Sequence, residues 1–356
     1  MASVDYKKEL DDIIDIVVTE LGSDIHLSVG SHPIIRVDGS LIPLTKKPIL
    51  SKNDVTGFVK VLLNDEQEKK FFTDREVDFS FAAKNGVRFR GNGFFQRGAI
   101  SIALRHIPNV IKNFKDLSLP PILESFCQRP QGFFLCVGPV GQGKSTTLAA
   151  MVELINQTRS EHIVTIEDPI EYMFEPKKSL IDQREVRVDT ADFHTGLHSA
   201  FRQDVDVIMV GEMRGQETIA TAVTAAETGH LVLSTLHTNS AAQTIDRIID
   251  TFPSGQQDQI RVQLSGSLTA IFSQRLIPRI SGGLVPAYEL LINNSAVSNL
   301  IRERRTHEIQ TVVETGMEQG MIDMNRTLVE LVQQGEITVE NAFSYSPNPK
   351  GLERLM

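Results

Sequence analysis

The sequence predicts two domains of different classes, an N-terminal α+β domain and a C-terminal α/β domain with a mainly parallel sheet. Residues 24–107 contain stretches in which apolar and polar side chains alternate around the turn-prone pairs Asp38-Gly39 and Asn85-Gly86, a pattern typical of antiparallel sheets. From residue 132 onward, short and almost wholly apolar stretches alternate with helical patterns. This second pattern is typical of a parallel sheet that helices cover.

The first domain is expected to open with a helix over residues 5–21, because its apolar residues recur at helical spacing. Gly22 is placed to end that helix in a left-handed conformation. A second helical pattern covers residues 52–71. Strands are predicted from "DIHLSVG", "PIIRVDGSLIPL", "EVDFSFAAKNGVRFRGNGFF" and "AISIALRHIP".

The second domain follows a stretch rich in proline and polar residues, which we interpret as a linker over residues 109–121. The predicted domains are therefore 1–108 and 122–356. Four apolar strands are predicted from "GFFLCV", "HIVTI", "VDVIMV" and "HLVLST". Beyond residue 285 the pattern is mostly helical, so we expect a helical C-terminal segment.

Composition limits the function classes that the chain can have. Its 356 residues and 41% hydrophobic content suffice for two buried cores, and a net charge of −9 argues against a general nucleic-acid binder, which needs a basic surface. The two cysteines, Cys127 and Cys136, make a disulfide framework or a structural zinc site improbable. No stretch of 18 mainly apolar residues and no secretion signal is present, so we expect a soluble cytoplasmic protein.

Residues 138–146, "GPVGQGKST", match the spacing of a phosphate-binding loop, and the loop lies between an apolar strand and an amphipathic helix as the motif requires. Backbone amides would hold the phosphates at the helix N-terminus, the lysine would contact the outer phosphates, and Ser145 would hold Mg²⁺. The side chain of Gln142 is expected to matter little, because the main chain does the holding. The candidate nucleotide-binding residues are Gly138, Gly141, Gln142, Gly143, Lys144, Ser145 and Thr146.

Carboxylates that orient water and steady the magnesium usually come from neighbouring strand ends. Glu167 and Asp168 follow a β-branched strand in "VTIEDPIEY", and Glu212 follows an apolar strand in "VDVIMVGEMR". Acidic residues at strand ends are also common as solvated caps. Together with the phosphate loop upstream, they become candidates for the catalytic and metal-binding carboxylates.

Two histidines flank the fourth apolar strand in "TGHLVLSTLHTN". Because His230 precedes the strand and His237 follows it, a shared metal ion would require opposite strand ends to meet, and we do not expect one. His237 is either a contact to the outer phosphate or a hydrogen-bonded strand cap. For His230 the structural interpretation is as good as the functional one.

Arginines occupy the free face of the predicted sheet in the first domain. Val87 and Phe89 alternate with Arg88 and Arg90, and the strand around Arg105 alternates in the same way. Arg90 and Arg105 therefore point away from the core. Such arginines are usually only solvated, but in a multi-subunit ATPase an arginine from a neighbouring subunit commonly meets the charge on the outer phosphate.

Taken together, these stretches resemble the secretion ATPase superfamily and, within it, the retraction ATPases of type IV pili. The resemblance runs nearly end to end and implies a PAS-like N-terminal domain, a RecA-like C-terminal domain, and a ring of six identical subunits with ATP between them. It is carried by the phosphate loop and by "GSDIHLSVGSHPIIRVDG", "RFRGNGFFQRGAISIALRHIP", "TIEDPIEY", "VIMVGEMRGQET" and "AAETGHLVLSTLHTNSAAQTIDRIID".

The same resemblance implies a role for each candidate residue. Glu167 takes the place of the family's catalytic glutamate, and Glu212 that of the Walker B glutamate, which acts on Mg²⁺ directly or through a water. Arg90 and Arg105 take the place of its paired arginines, and His237 that of its sensor of the γ-phosphate.

The implied function is an ATP-hydrolysing, Mg²⁺-dependent motor that powers retraction of type IV pili. Such a motor is cytoplasmic and is peripheral at the inner membrane through the pilus base. Its implied partners are an inner-membrane platform protein and a paralogous pilus ATPase. No nucleic acid and no direct membrane insertion are expected.

The choice of a retraction motor depends on the short chain and the lack of a four-cysteine zinc insertion. A retraction-linked segment, A-I-R-x-L-I-R-E, is matched in part by "AVSNLIRERRTHEI", where Val297 and Ser298 replace Ile and Arg. The alternatives are an accessory retraction ATPase, a short extension or secretion ATPase, a non-hydrolysing ring member and, remotely, a nucleic-acid translocase. Other departures from the family pattern are Arg187 for Gly, His198 for Arg, Val205 for Pro and Gly215 for Asp.

Overall fold

A computed structural model describes residues 5–37, 39–84, 86–107 and 110–356 of the chain. The chain divides into two compact units, residues 1–110 with 171–173 (unit 1) and residues 111–170 with 174–356 (unit 2). The turn residues Asp38 and Asn85 and the predicted boundary at residues 108 and 109 lie outside the described residues.

Unit 1 contains a sheet of antiparallel strands in the order β3-β2-β1-β6-β5-β4. Apolar side chains on one face pack against the helices, with Phe71 and Phe89 among those fully buried. Its elements are α1 (Tyr6–Thr19), β1 (Asp24–Ser28), β2 (Ile34–Val37), β3 (Ser40–Pro43), α2 (Lys52–Leu62), α3 (Asp65–Asp74), β4 (Glu76–Ala82), β5 (Arg88–Gln96) and β6 (Ala99–Ile107).

Two details of the helices in unit 1 differ from the sequence prediction. The helical pattern over residues 52–71 is two helices, because Asn64 starts α3 with a capping box in which it exchanges hydrogen bonds with Gln67. The left-handed residue after α1 is Leu21, with φ 53°, and not Gly22. The amide of Gly22 instead returns to the carbonyl of Val17 and completes the helix end.

Unit 2 contains a larger sheet in the order β13-β12-β7-β11-β10-β8-β9, in which all neighbours are parallel except the β12–β13 pair. The four predicted apolar strands are β7, β8, β10 and β11, and every residue of β7 and β11 is buried. The strands are β7 (Gly132–Val137), β8 (His162–Glu167), β9 (Leu180–Glu185), β10 (Val207–Val210), β11 (Leu231–Leu236), β12 (Leu268–Pro278) and β13 (Leu284–Ile292).

Helices pack on this sheet and form the C-terminal segment. They are α4 (Leu123–Cys127), α5 (Lys144–Thr158), α6 (Phe193–Ala200), α7 (Gln216–Glu227), α8 (Ala241–Asp250), α9 (Ser254–Ser267), α10 (Ser295–Arg302), α11 (Ile309–Thr315), α12 (Met324–Gln333), α13 (Val339–Tyr345) and α14 (Pro349–Leu355). The mixed α/β fold, the parallel-rich sheet and the helical C-terminus agree with the sequence prediction. Strands β9, β12 and β13 were not predicted, because polar residues interrupt their apolar patterns.

Both cysteines are buried and free, and burial raises the pKa of each thiol to about 12. Cys127 and Cys136 therefore pack as small apolar side chains. None of the helices in the described part of the chain combines the length and the apolar character that a membrane crossing requires.

Candidate functional site

The phosphate loop, residues 138–143, lies at the carboxyl edge of the large sheet. It joins β7 to α5, and the neighbouring strands β11, β10 and β8 run parallel to β7. Their carboxyl ends therefore meet at the same edge. His237 directly follows β11, Glu212 lies two residues after β10, and Glu167 ends β8. In open α/β sheets this edge is where ligands bind.

Two glycines of the loop are required by both conformation and space. Gly138 and Gly143 have φ angles of 149° and 77°, which favour glycine. A Cβ atom on Gly138 would lie 2.4 Å from the carbonyl oxygen of Gln274, and one on Gly143 would lie 3.0 Å from the Nε2 atom of the same residue. A side chain at Gly138 would therefore clash with the backbone of β12, and one at Gly143 would crowd the Gln274 side chain and strain the left-handed backbone.

A glutamine that the sequence analysis missed, Gln274 on β12, fastens the loop from the side. Its Nε2 atom donates to the carbonyl of Gln142 at 2.7 Å, and its Oε1 atom accepts from the hydroxyl of Thr147 on α5 at 2.7 Å. The Gln142 side chain accepts from the amide of Leu276 at 2.7 Å. Gln142 therefore binds β12 with both its main chain and its side chain, which corrects the expectation that this side chain matters little.

Lys144, the first residue of α5, is buried beneath the loop. Its ammonium group donates to the carbonyls of Gly138 and Pro139 at 2.9 and 2.8 Å, and lies 3.2 Å from Nδ1 of His237. These contacts hold the positive charge directly under the loop. The loop itself presents its backbone amides at the N-terminus of α5, where the helix dipole favours an anion.

His237 connects Lys144 to Glu212. Its Nδ1 atom accepts from the Lys144 ammonium, and its Nε2 atom lies 3.2 Å from Oε1 of Glu212. Burial and the neighbouring Lys144 charge lower the pKa of His237 against the opposing effect of Glu212. The imidazole is therefore neutral at pH 7, with its proton on Nε2 and directed at the carboxylate.

Glu212 lies between Arg214 and His237. Arg214 donates to its Oε2 atom at 2.8 Å, on the side opposite His237. Burial alone would raise the pKa of Glu212, but the Arg214 hydrogen bond and the electrostatic effects of Arg214, His237 and Lys144 outweigh burial and lower the pKa. A carboxylate held ionised in this way is a weak base and a good metal ligand or electrostatic partner.

Glu167 is buried at the end of the neighbouring strand β8. It accepts hydrogen bonds from the hydroxyl of Thr165 at 2.7 Å and from the amide of Gln183 at 3.3 Å, both on the same oxygen. Gly211 N donates to Ile166 O at 2.8 Å, and this bond holds the end of β10 beside Glu167. The two predicted carboxylates thus come from neighbouring strands but differ in their surroundings.

His230 lies at the other edge of the sheet, before β11. Its Nδ1 atom donates to the carbonyl of Ala225, and its ring packs edge-to-face on Phe201 with centroids 5.5 Å apart. These contacts give His230 a structural role within unit 2.

Within unit 1, four charged residues form a row across the exposed face of the sheet, which we call the arginine row: Arg36, Asp24, Arg105 and Arg90. Each is the cross-strand partner of the next. Arg90 and Arg105 are both exposed and face each other directly across β5 and β6. Like charges in this position repel each other. Because three of the four residues are arginines, the row gives this face a net positive charge.

Asp24, which the sequence analysis missed, holds this row. Its carboxylate is 7% exposed and accepts from Nε of Arg105 at 2.9 Å and from the hydroxyl of Ser23 at 2.8 Å, with Nε of Arg36 at 3.8 Å. The Arg105 side chain remains 73% exposed. Asp24 therefore fixes one end of the Arg105 guanidinium and leaves the rest available.

The structure shows the local surroundings of two residues that depart from the family pattern. Arg187 occupies a position where the pattern has glycine, and its φ angle of 70° is one that glycine favours; its guanidinium contacts Asp168 at 3.3 Å. Gly215 is the N-cap of α7 and supplies no side-chain cap, whereas the aspartate of the pattern could cap the helix. Arg187 and Gly215 are therefore separate from the phosphate loop and from the two candidate carboxylates.

The residues at this sheet edge fit a nucleoside triphosphate and Mg²⁺. The loop packs closely against β12 at Gly138 and Gly143, with a lysine and a helix N-terminus beneath it. The hydroxyl of Ser145 and the ionised Glu212 are oxygen ligands of the kind that Mg²⁺ prefers. When bound, the metal neutralises phosphate charge.

Comparison with known proteins identifies the family of this chain. The family model described as "Type II/IV secretion system protein" matches residues 4–333. The "Type IV pilus retractation ATPase PilT" of Pseudomonas aeruginosa is 44% identical over 92% of this chain and 95% of its own length. The "Type IV pilus ATPase PilU" of the same organism is 38% identical over 98% of this chain and 91% of its own length.

Among solved structures, the "Crystal Structure of the Pilus Retraction Motor PilT and Bound ADP" is similar to this chain with a TM-score of 0.91 and 47% identity, and the match covers 97% of this chain and 99% of that one. The match extends over both structural units. The chain is therefore a member of the type II/IV secretion system protein family.

Proposed function

We propose that this protein is an ATP-hydrolysing, Mg²⁺-dependent motor that powers the retraction of type IV pili. The observation that carries the proposal is the chain of contacts Lys144–His237–Glu212 beneath a glycine-rich loop. It places a phosphate-binding cation, a neutral hydrogen-bond donor and an ionised carboxylate at one sheet edge. Similarity to retraction motors over more than nine-tenths of the chain supports the biological role.

In this mechanism the loop amides and Lys144 hold the phosphates, while Ser145 and Glu212 hold Mg²⁺. Glu167 orients and deprotonates the attacking water, since the low pKa of Glu212 makes it a poor base. An incoming γ-phosphate competes with His237 for the Lys144 ammonium. Loss of that phosphate on hydrolysis returns Lys144 to His237, so the two nucleotide states favour different arrangements of the site.

We further propose that unit 1 is a PAS-like domain, that unit 2 is a RecA-like domain, and that six chains form a ring. In the ring, Arg90 and Arg105 of one subunit approach the γ-phosphate bound by its neighbour. The net positive charge of the arginine row supports this role, because developing charge on the phosphate calls for a further cation besides Lys144.

The proposed motor is cytoplasmic and reaches the inner membrane only through its partner, the pilus platform protein. A paralogous pilus ATPase is a further candidate partner. An accessory retraction ATPase of the PilU kind is the main alternative; the higher identity to PilT, 44% against 38%, favours a primary motor.

Deletion of the gene is expected to leave cells with an excess of surface pili that do not retract. Wild-type protein should restore retraction, whereas Lys144→Ala should not, because the loop loses its cation. Surface pili counted by electron microscopy and twitching on agar are the measurements. Lys178→Ala, a change at an exposed lysine outside the site, is the matched control. Cells without pili after the deletion would indicate an extension motor instead.

Glu167→Gln is expected to lower kcat for ATP hydrolysis by about 10²- to 10⁴-fold, the range for loss of a general base, while ATP still binds. Glu212→Gln should instead weaken Mg²⁺-dependent ATP binding, since it removes an ionised oxygen. Steady-state kinetics and titration with a fluorescent ATP analogue separate the two effects, and the exposed Glu175→Gln is the control. Full ATP binding with no turnover in Glu212→Gln alone would reverse the two assignments.

Arg90→Ala is expected to lower kcat by about 10³- to 10⁵-fold if the arginine meets the phosphate in the transition state. Mixed rings of Arg90→Ala and Lys144→Ala chains should regain activity, because one interface then combines an intact loop with an intact arginine. Activity measured across mixing ratios tests this. The control mixes Lys144→Ala chains with chains that carry both Arg90→Ala and Lys144→Ala, because this mixture contains no interface with an intact loop. Recovery of activity in the control, or no recovery in the first mixture, would contradict action between subunits.

Asp24→Asn is expected to lower kcat by about 10- to 100-fold with little change in KM, because Arg105 loses the carboxylate that orients it. The variant should also regain activity when mixed with Lys144→Ala, a result that a merely destabilised subunit would not give. Asp78→Asn, an exposed change on the same sheet, is the control. Unchanged kcat would remove Asp24 from the mechanism.

A further inference from the structure

A second polar cavity lies in unit 2, at the sheet edge opposite the phosphate loop. Its volume is about 590 Å³, within the usual range for small-molecule sites, and it is bounded by the start of β7, the end of α9 and the start of α10. Gly132 begins β7 and borders the cavity, whereas Val137 ends β7 beside the phosphate loop. At strand spacing these two ends are about 17 Å apart.

The charge in this cavity is positive. Arg129 and Arg302 are its ionisable lining side chains, and no carboxylate lines it among the described residues. The guanidinium of Arg129 lies 5.8 Å from the centre of the Phe126 ring, and Arg302 donates to the neutral side chains of Asn299 and Ser265. Both guanidinium charges therefore remain uncompensated by their contacts.

The end of α9 and the start of α10 also affect the electrostatic potential in the cavity. The carbonyls of Ser265 and Leu268 at the end of α9 accept from the Asn293 amide at 3.0 and 2.8 Å, and Ser298 also donates to Ser265. These donors therefore pair with one carbonyl in the last turn of α9 and with that of its C-cap residue, Leu268. The positive end of α10 borders the same cavity, capped by Asn294, and its first amides have no partner within the helix.

We propose that this cavity binds a small polyanion, a metabolite that carries two or more phosphate or carboxylate groups. Two guanidinium groups and a helix N-terminus are the groups that bind such oxygens in proteins. The described lining residues include no aromatic side chain on which a nucleobase could stack. Ser298, which stands where the family segment has an arginine, lines the cavity wall in this chain.

The test is calorimetric titration of the full-length protein saturated with ADP and Mg²⁺, so that the phosphate loop is occupied. Pyrophosphate and citrate are the two probes. We expect saturable binding of at least one probe at a site additional to the nucleotide site. Pyrophosphate alone would identify a phosphorylated ligand, citrate alone a carboxylate, and binding of both a general polyanion site.

Arg302→Gln and Arg129→Gln should each weaken this binding about 10-fold, the effect of losing one charge-assisted hydrogen bond. Ser295→Glu, which adds a negative charge at the cavity without removing an arginine, should weaken it as well. The control is Arg304→Gln, because Arg304 pairs with Asp258 outside the cavity. No saturable binding of either probe, or equal binding in all variants, would overturn the proposal.

Discussion

The site depends on one constraint, the parallel register of β7, β11, β10 and β8. Because these four strands run in the same direction, the phosphate loop, His237, Glu212 and Glu167 all emerge at one edge of the sheet. The strand residues are almost entirely buried, so a shift of register would remove apolar side chains from the core. The chemistry at the edge is thus positioned by packing in the sheet.

The loop is held by more than its own sequence motif. Gln274 on β12 hydrogen-bonds both to Thr147 at the start of α5 and to the carbonyl of Gln142 in the loop. Strand β12 is itself the parallel neighbour of β7. A loop fixed on both sides does not have to order itself when phosphate arrives, which reduces the entropy cost of binding. In the proposed mechanism the element that rearranges is instead the Lys144 ammonium, which exchanges its contact with His237 for phosphate oxygens.

The sequence predicted what local patterns encode and missed what pairing across the chain creates. The loop motif and the acidic strand ends could be found because each lies within about ten residues. Asp24 could not, since its importance comes from Arg105, 81 residues away and its partner across β1 and β6. Gln274 likewise acts on Thr147, 127 residues away. The break between α2 and α3 was locally encoded by Asn64, and was missed because both helices share one apolar pattern.

The difference between the two carboxylates follows from their neighbours. Glu212 faces Arg214 on one oxygen and His237 on the other, and Lys144 adds a second positive charge nearby, so its negative form is stabilised. Glu167 is buried where Thr165 and Gln183 both donate to one of its oxygens. Activation of water needs a carboxylate that can accept a proton, and a carboxylate that two cations hold ionised accepts it poorly. In the proposed mechanism, Glu212 accordingly holds the metal ion and Glu167 activates the water, from adjacent strands at a single sheet edge.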